Sequence, residues 1–141
     1  MKLTRKTCFA VSRGTAEVMD ISGIANNVGI ISISSTNSFS AELQGAWNHT
    51  CRLVFDDVDE YLDGLVPFSD TLANDLVNWL KPMINELDFL IVHCDAGLSR
   101  SPAVVISILE TFIGDKTIHK RYSMYNRLVY RKLVQAFNRN K

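Results

Sequence analysis

No stretch of this sequence approaches the roughly 20 consecutive apolar residues that a membrane-spanning helix needs. The longest apolar runs, such as those over 89–92 and 103–106, stop far short of it, so no membrane span is expected. Glycine and proline are sparse, at seven and three residues, which excludes collagenous and low-complexity chains. An excess of one charge is also missing: fifteen Lys and Arg balance fifteen Asp and Glu, for a formal net charge of zero. That excludes a dedicated polyanion binder working through bulk charge. Cysteine is limited to Cys8, Cys51 and Cys94. With His49, His93 and His119 these offer no Cys-x-x-Cys or His-x-x-x-His spacing, so no metal site is expected. The basic start, with Lys2, Arg5, Lys6 and Arg13, is not followed by the apolar core of a secretory leader. A reduced, cytoplasmic setting is therefore expected. What is present is an ordinary globular composition, 47% hydrophobic and 21% charged. Its 141 residues correspond to one domain, 1–141, at roughly 100 to 200 residues per domain.

Phe9, Ala10 and Val11 read as a short strand, and Ser12 is placed to cap a helix over 13–21 with Ala16, Val18, Met19 and Ile21 on a ragged apolar face. Gly23, Asn26 and Asn27 punctuate the chain before an isoleucine-rich, buried strand over 28–34. The polar stretch 34–48 reads as a loop with one helical turn around 41–44. A third strand, over 51–55, runs into an acidic loop with Asp56, Asp57, Asp59, Glu60 and Asp63, closed by Gly64 and Pro67. Ser69 caps a helix in which Leu72, Leu76, Trp79, Leu80, Met83 and Ile84 recur at helical spacing, with a kink expected at Pro82. Residues 89–92 form a continuous apolar run suited to a central parallel strand buried on both faces. Ser101 and Pro102 read as the cap and first position of an apolar helix over 103–113 that stops at Gly114. A final amphipathic helix is expected over 122–138. Strands alternating with helices give an α/β fold, a mainly parallel sheet of about four strands flanked by helices, with no repeat and no linker.

Chemistry concentrates between that central strand and the helix after it, in His93-Cys94-Asp95-Ala96-Gly97-Leu98-Ser99-Arg100-Ser101. A loop from a strand's carboxyl end to a helix amino terminus turns successive backbone N–H groups inward, and the helix adds about half a positive charge at its start. Such a loop cradles an oxyanion. A thiol at its base feels the same field, which favours the nucleophilic thiolate. Arg100 supplies a planar fork that matches two oxygens of a phosphoryl group. Gly97 lets the backbone approach the anion without a Cβ in the way. Ser101 can hydrogen-bond the sulfur and help it leave. His93 reads as a core histidine buttressing the loop, and Cys8 and Cys51 as buried small hydrophobes.

The run His93-Cys94-x-x-Gly97-x-x-Arg100-Ser101 resembles the signature of the cysteine-dependent protein tyrosine phosphatases, in particular the small dual-specificity type. The order of acidic loop, helix, strand and helix over residues 53–114 is similar to that family. Small bacterial and phage proteins predicted to be tyrosine phosphatases are similar over more of the chain, including Tyr125-Asn126-Arg127-Leu128-Val129-Tyr130. The resemblance implies their phosphatase fold and their chemistry without a cofactor. Cys94 would attack phosphorus, and Arg100 would bind the equatorial oxygens within a loop of Asp95, Ala96, Gly97, Leu98 and Ser99. An aspartate on a separate loop would protonate the leaving oxygen and then serve as base for water. Asp57 is favoured for that role, because Asp56 reads as the strand's end and Phe55-Asp56-Asp57-Val58 most resembles the acid loop of the small bacterial relatives. Asp59 is the alternative, and Asp63 reads as a turn residue before Gly64.

Inositol-lipid phosphatases that share the Cys-x5-Arg frame are lysine-rich within it. Here the loop holds one acid, Asp95, and no base before Arg100, so the expected substrate is a monophosphate, on a phosphorylated protein or a small phosphomonoester. Two other functions fit the frame: a module that binds phosphate without turnover, and an RNA 5′-phosphatase. The first requires a missing nucleophile or acid. The second requires a basic path that only the tail offers, and nucleic acid is not expected. From Lys116 onward the chain carries Lys120, Arg121, Arg127, Arg131, Lys132, Arg139 and Lys141 and no acid. That reads as a solvated helix face, the alternative being a patch for an anionic partner.

Overall fold

A computed structural model of the protein describes residues 1–23 and 27–140. Strands β1 (Cys8–Ser12), β2 (Val28–Ser34), β3 (His49–Val54) and β4 (Phe89–Cys94) form one four-stranded, all-parallel sheet in the order β1-β4-β2-β3. The two inner strands are also the most apolar. Every residue of β2 is buried, as is every residue of β4 after Phe89, because parallel strands covered on both faces have no solvent side to alternate towards. The edge strand β3 instead alternates exposed and less exposed positions, ending with Leu53 buried and Val54 exposed.

Helix α2 (Asp70–Leu80), helix α3 (Arg100–Ile113) and helix α5 (Arg127–Arg139) cover one face of the sheet. Ile31, Ile33, Leu90 and Val92 from the strands meet Leu76, Val77 and Leu80 of α2, Val105 and Ile108 of α3, and Val129 and Leu133 of α5 in one core. Each fully buried Leu, Ile or Val contributes about 1.5 to 3 kcal/mol. The other face is thinner. There α1 (Arg13–Val18) sets Ala16 on Ile30 and Ile91, flanked by Phe9, Val11, Met19, Leu43 and Trp47.

Several boundaries depart from the sequence expectation. Helix α1 ends at Val18, short of residue 21, because Met19 turns to extended backbone and the Asp20 carboxylate accepts from the Ser22 amide and hydroxyl. The turn expected at Asn26 lies outside the described residues. No helical turn forms at 41–44, since side chains occupy that backbone. The Glu42 amide donates to Glu17, and Arg52 donates to the Ala41 carbonyl. Helix α2 stops at Leu80 and does not kink at Pro82. Proline lacks the N–H and disfavours helical backbone in the residue before it, and a turn closes instead from the Met83 amide to the Leu80 carbonyl. Helix α3 begins two residues earlier than expected, at Arg100, with Ser99 as N-cap and Pro102 still in its first turn. Its end is as read: Gly114 adopts φ 68 and donates to the Glu110 carbonyl.

The final segment divides. A short α4 (Ile118–Arg121) precedes α5, which starts at Arg127 and not at 122, because the Asn126 side chain caps it by accepting from the Val129 amide at 3.1 Å. Residues 122–126 thereby fall between the two helices.

Candidate active site

Cys94 is the last residue of β4 and Arg100 the first of α3, so the turn between them sits where strand carboxyl ends and a helix amino terminus converge. In open α/β sheets that edge is the ligand-binding one. The loop is drawn tight against β1. Gly97 has φ 74, and a Cβ there would lie 2.6 Å from the Val11 carbonyl carbon and 2.7 Å from the Ser12 amide nitrogen. Those are backbone atoms that cannot move aside, so only glycine fits. The Arg13 amide donates to the Asp95 carbonyl at 3.1 Å and ties the loop to the start of α1.

At the base of the loop Cys94 is 3% exposed and its Sγ is 3.1 Å from the Ser101 hydroxyl. Ser101 is thus spent on the sulfur. Nor does Ser99, the N-cap, cap with its side chain; its hydroxyl donates outward to the Asp57 carboxylate at 2.8 Å. The first-turn amides of α3 are therefore not satisfied by a capping side chain, which leaves donors and the positive end of the helix for an anion. Behind the loop His93 is fully buried, with Nε2 bonded to the Ser32 hydroxyl. Burial pushes its imidazole below the ordinary value of 6.5, which keeps it neutral.

Arg100 is buried, yet three of its donors are held by protein. Nη1 donates to the Ser35 hydroxyl at 3.0 Å and the Phe55 carbonyl at 2.8 Å, and Nη2 donates to Asp95 at 2.9 Å. The Ser35 hydroxyl donates in turn to the same Asp95 oxygen at 3.1 Å, which puts Ser35 and Asp95 together on the outer edge of the guanidinium. Its inner edge, formed by Nε–H and the second Nη2 hydrogen, has no protein partner, and Nε is buried and unpaired. An unmade bond at a buried charged donor costs about 1 to 3 kcal/mol or more. A bound oxyanion with two oxygens would satisfy that edge.

The opposite wall comes from the acidic loop. A cleft of about 530 Å³ is lined by Cys94, Ala96, Leu98 and Arg100 on one side and by Asp57, Ser35 and Met124 on others. Asp57 Oδ1 accepts from Ser99 at 2.8 Å and from Asn126 Nδ2 at 3.0 Å, so the carboxylate is pinned at the cleft mouth. Asp59 lines an adjoining cavity, and Asp63 lines neither. Asp56 faces away. It is 6% exposed and accepts from the Val66 amide at 2.8 Å and from the Thr36 amide and hydroxyl. The Val66 bond, with those from Thr36, outweighs desolvation and holds its carboxyl below the usual range. Asp56 therefore staples the loop.

Three residues of this site went unread in the sequence. Ser35 positions Arg100 from the loop after β2. Met124 reaches the cleft from the segment before α5. Asn126, 6% exposed, joins three pieces: its Nδ2 holds Asp57 and the Val58 carbonyl, its amide donates to the Ser99 carbonyl, and its Oδ1 caps α5. The signals available were its place in the stretch 125–130 of the resemblance and its position before an amphipathic run, an N-cap pattern. Among the described residues no three His, Cys, Asp or Glu side chains converge on a metal site, and no helix is long and apolar enough to cross a membrane.

No protein-family model and no curated protein matches this sequence. Solved structures do match its fold. The human tyrosine phosphatase-like serine/threonine/tyrosine-interacting protein superposes with a TM-score of 0.64 at 17% identity, over 96% of this chain and 93% of that one. Tk-PTP in its active form superposes with a TM-score of 0.51 at 11% identity, over 92% of each chain. At such identities the likeness establishes the fold. The chain has the α/β fold of tyrosine phosphatase-like proteins, with its parallel sheet between helices.

Proposed function

We propose that this protein is a phosphatase that hydrolyses phosphomonoesters, phosphotyrosine among them, through a cysteinyl-phosphate intermediate on Cys94. The observation that carries the reading is the juxtaposition, in one cleft, of the Cys94 sulfur, the unpaired inner edge of Arg100 and the Asp57 carboxylate. The phosphoryl oxygens occupy the loop from Asp95 to Ser99, taking the free amides of the α3 amino terminus and the Nε–H and Nη2–H of Arg100. Cys94 Sγ attacks phosphorus opposite the leaving oxygen. As the P–O bond breaks, Asp57 gives its proton to that oxygen, so the alcohol or phenol departs neutral. The Asp57 carboxylate then takes a proton from water, the water oxygen bonds to phosphorus, and the S–P bond breaks. Ser101 donates to the departing sulfur. Asp95 acts through its carboxylate on Arg100, holding the guanidinium so that its fork faces inward.

A module that binds phosphorylated partners without turnover is the second reading, since the unpaired Arg100 Nε would hold a phosphate whether or not it is hydrolysed. Hydrolysis of p-nitrophenyl phosphate by the purified chain, abolished in Cys94→Ser, is the result expected. Binding of phosphate or phosphopeptide with no hydrolysis would establish the module instead.

A further inference from the structure

Beside the catalytic cleft lies a second one of about 370 Å³, which shares Asp57, Ser99 and Met124 with it and adds Leu62, Tyr125 and Arg127. We infer that this second cleft is a specificity subsite, in which Arg127 receives the carboxylate of an acidic side chain flanking the phosphorylated residue of a peptide substrate. The inference rests on the phosphatase reading for the neighbouring cleft and adds what surrounds the phosphorylated residue.

Arg127 is exposed but not loose. Its guanidinium lies over the Tyr125 ring, 4.7 Å from the centroid, and Nη1 donates to the Tyr125 hydroxyl at 2.7 Å. Tyr125 is itself fixed. His119 Nδ1 is 3.2 Å from the same hydroxyl, and His119 Nε2 is 2.8 Å from Glu110, which also accepts from Tyr130 at 2.6 Å. One proton arrangement satisfies the whole chain: Nε2–H donates to Glu110, Tyr125 O–H donates to Nδ1, and the Tyr125 oxygen accepts from Arg127. The guanidinium is thereby preorganised through Nη1, which leaves Nε–H and Nη2 for a bidentate carboxylate. Among the described residues no carboxylate lies within ion-pair distance of Arg127.

Charge and lining decide the class of ligand. No acid follows Asp115, and eight of the fifteen bases do, so Arg127 opens onto a positive segment with Arg131 one turn further along α5. Across the cleft stand Asp57 and Asp59. A polyphosphate backbone would bring repeated negative charge against that acidic wall, whereas a peptide can set one carboxylate on Arg127 and keep it clear of the aspartates. Leu62, Val58 and Met124 supply apolar surface for the stem of a glutamate.

The test uses two phosphotyrosine peptides that differ only in Glu against Gln at the flanking positions. Affinities are measured with Cys94→Ser, which reads the subsite whether or not the wild type turns over, and kcat/KM is measured with the wild type. The Glu peptide should be preferred about three- to tenfold, the preference shrinking with added salt. In an Arg127→Gln background the preference should fall towards one, and Arg127→Lys should restore only part of it. Tyr125→Phe, which removes the hydroxyl that holds Arg127, should reduce it as well. Equal treatment of the two peptides, or a Glu preference that survives Arg127→Gln, overturns the inference. So does a triphosphate-ended RNA that binds better than the Glu peptide and loses that advantage in Arg127→Gln. Failure of the wild type to hydrolyse p-nitrophenyl phosphate, with the Glu preference intact in the binding assay, instead removes the phosphatase reading and leaves a phosphopeptide-binding subsite.

Discussion

One wall of the cleft comes from a run of nine consecutive residues, His93 to Ser101, and the other is assembled from Ser35, Asp57 and Met124, which are far apart in the chain. The first wall is held by burial and backbone. Cys94, Arg100 and Ser101 are all buried, and Gly97 is pressed onto β1. The second is held by two side-chain hydrogen bonds to one exposed carboxylate. The difference matches the work assigned to each. A cradle that must fix several phosphoryl oxygens at once gains from a rigid peptide turn, whereas an acid must reach leaving groups of varied shape. The lesson is that the cradle resists substitution through its fold and the acid wall through its partners, so changes in the two should fail in different ways.

The largest effects should come from the cradle and should not depend on the leaving group. Cys94→Ser should reduce turnover to background on every phosphate ester while the protein still binds phosphate, since a serine hydroxyl here is a poor nucleophile. Arg100→Lys should lower kcat by about 10²- to 10³-fold, because a point charge cannot make the two-pronged contact. Both are read by steady-state kinetics alongside circular dichroism to confirm folding.

On the acid wall the loss should follow the leaving group. Asp57→Asn should cut kcat/KM by about 10²- to 10⁴-fold on phosphotyrosine or an alkyl phosphate and far less on p-nitrophenyl phosphate, whose phenolate leaves without a proton. Asp59→Asn should leave the leaving-group dependence as it is. Asn126→Asp keeps an oxygen to cap α5 but replaces the donor to Asp57 with a like charge. It should therefore reproduce part of the Asp57→Asn pattern, with helix content unchanged.

A smaller and more selective contrast separates the three thiols. Burial pushes Cys8 up to about 12 and Cys51, with help from Asp75, up to about 11, so both stay protonated and inert at neutral pH. Peroxide or iodoacetamide at neutral pH should modify Cys94 first, with activity lost in step and phosphate protecting, as peptide mapping would show. The smallest effect belongs to His93. Its folded-state value lies below 6.5, so below that pH the unfolded chain binds a proton that the folded chain refuses. The stability linked to this group is complete above about 6.5 and declines as pH falls towards the depressed value. Denaturant midpoints on either side of pH 6.5 should show the decline, and His93→Gln should flatten it.

The same contrast explains what the sequence made legible. The cradle could be read because tight turns, helix starts and thiol chemistry each constrain residue type at fixed spacing, and Cys94, Gly97, Arg100 and Ser101 carry those constraints within one short run. The inner strands were legible for a similar reason, as burial on both faces leaves 28–34 and 89–92 continuously apolar. Asp57 could be narrowed to an acidic loop, but only by resemblance, because nothing local distinguishes its carboxylate from that of Asp59. Ser35 and Asn126 act across gaps that the fold alone closes, so no spacing announces them. The displaced start of α3 has the same origin: Ser101 reads as its cap, and Cys94 engages that hydroxyl instead.

The central claim is phosphoryl transfer to one sulfur, and it is tested most directly by acid-quenching the enzyme during turnover and mapping the modified peptide by mass spectrometry. The account predicts one phosphoryl group on Cys94, accumulating further in Asp57→Asn with p-nitrophenyl phosphate because the hydrolysis of the intermediate loses its base, and none in Cys94→Ser. Steady turnover with Cys94 unmodified at every quench time, or a phosphoryl group on a different residue, would contradict it.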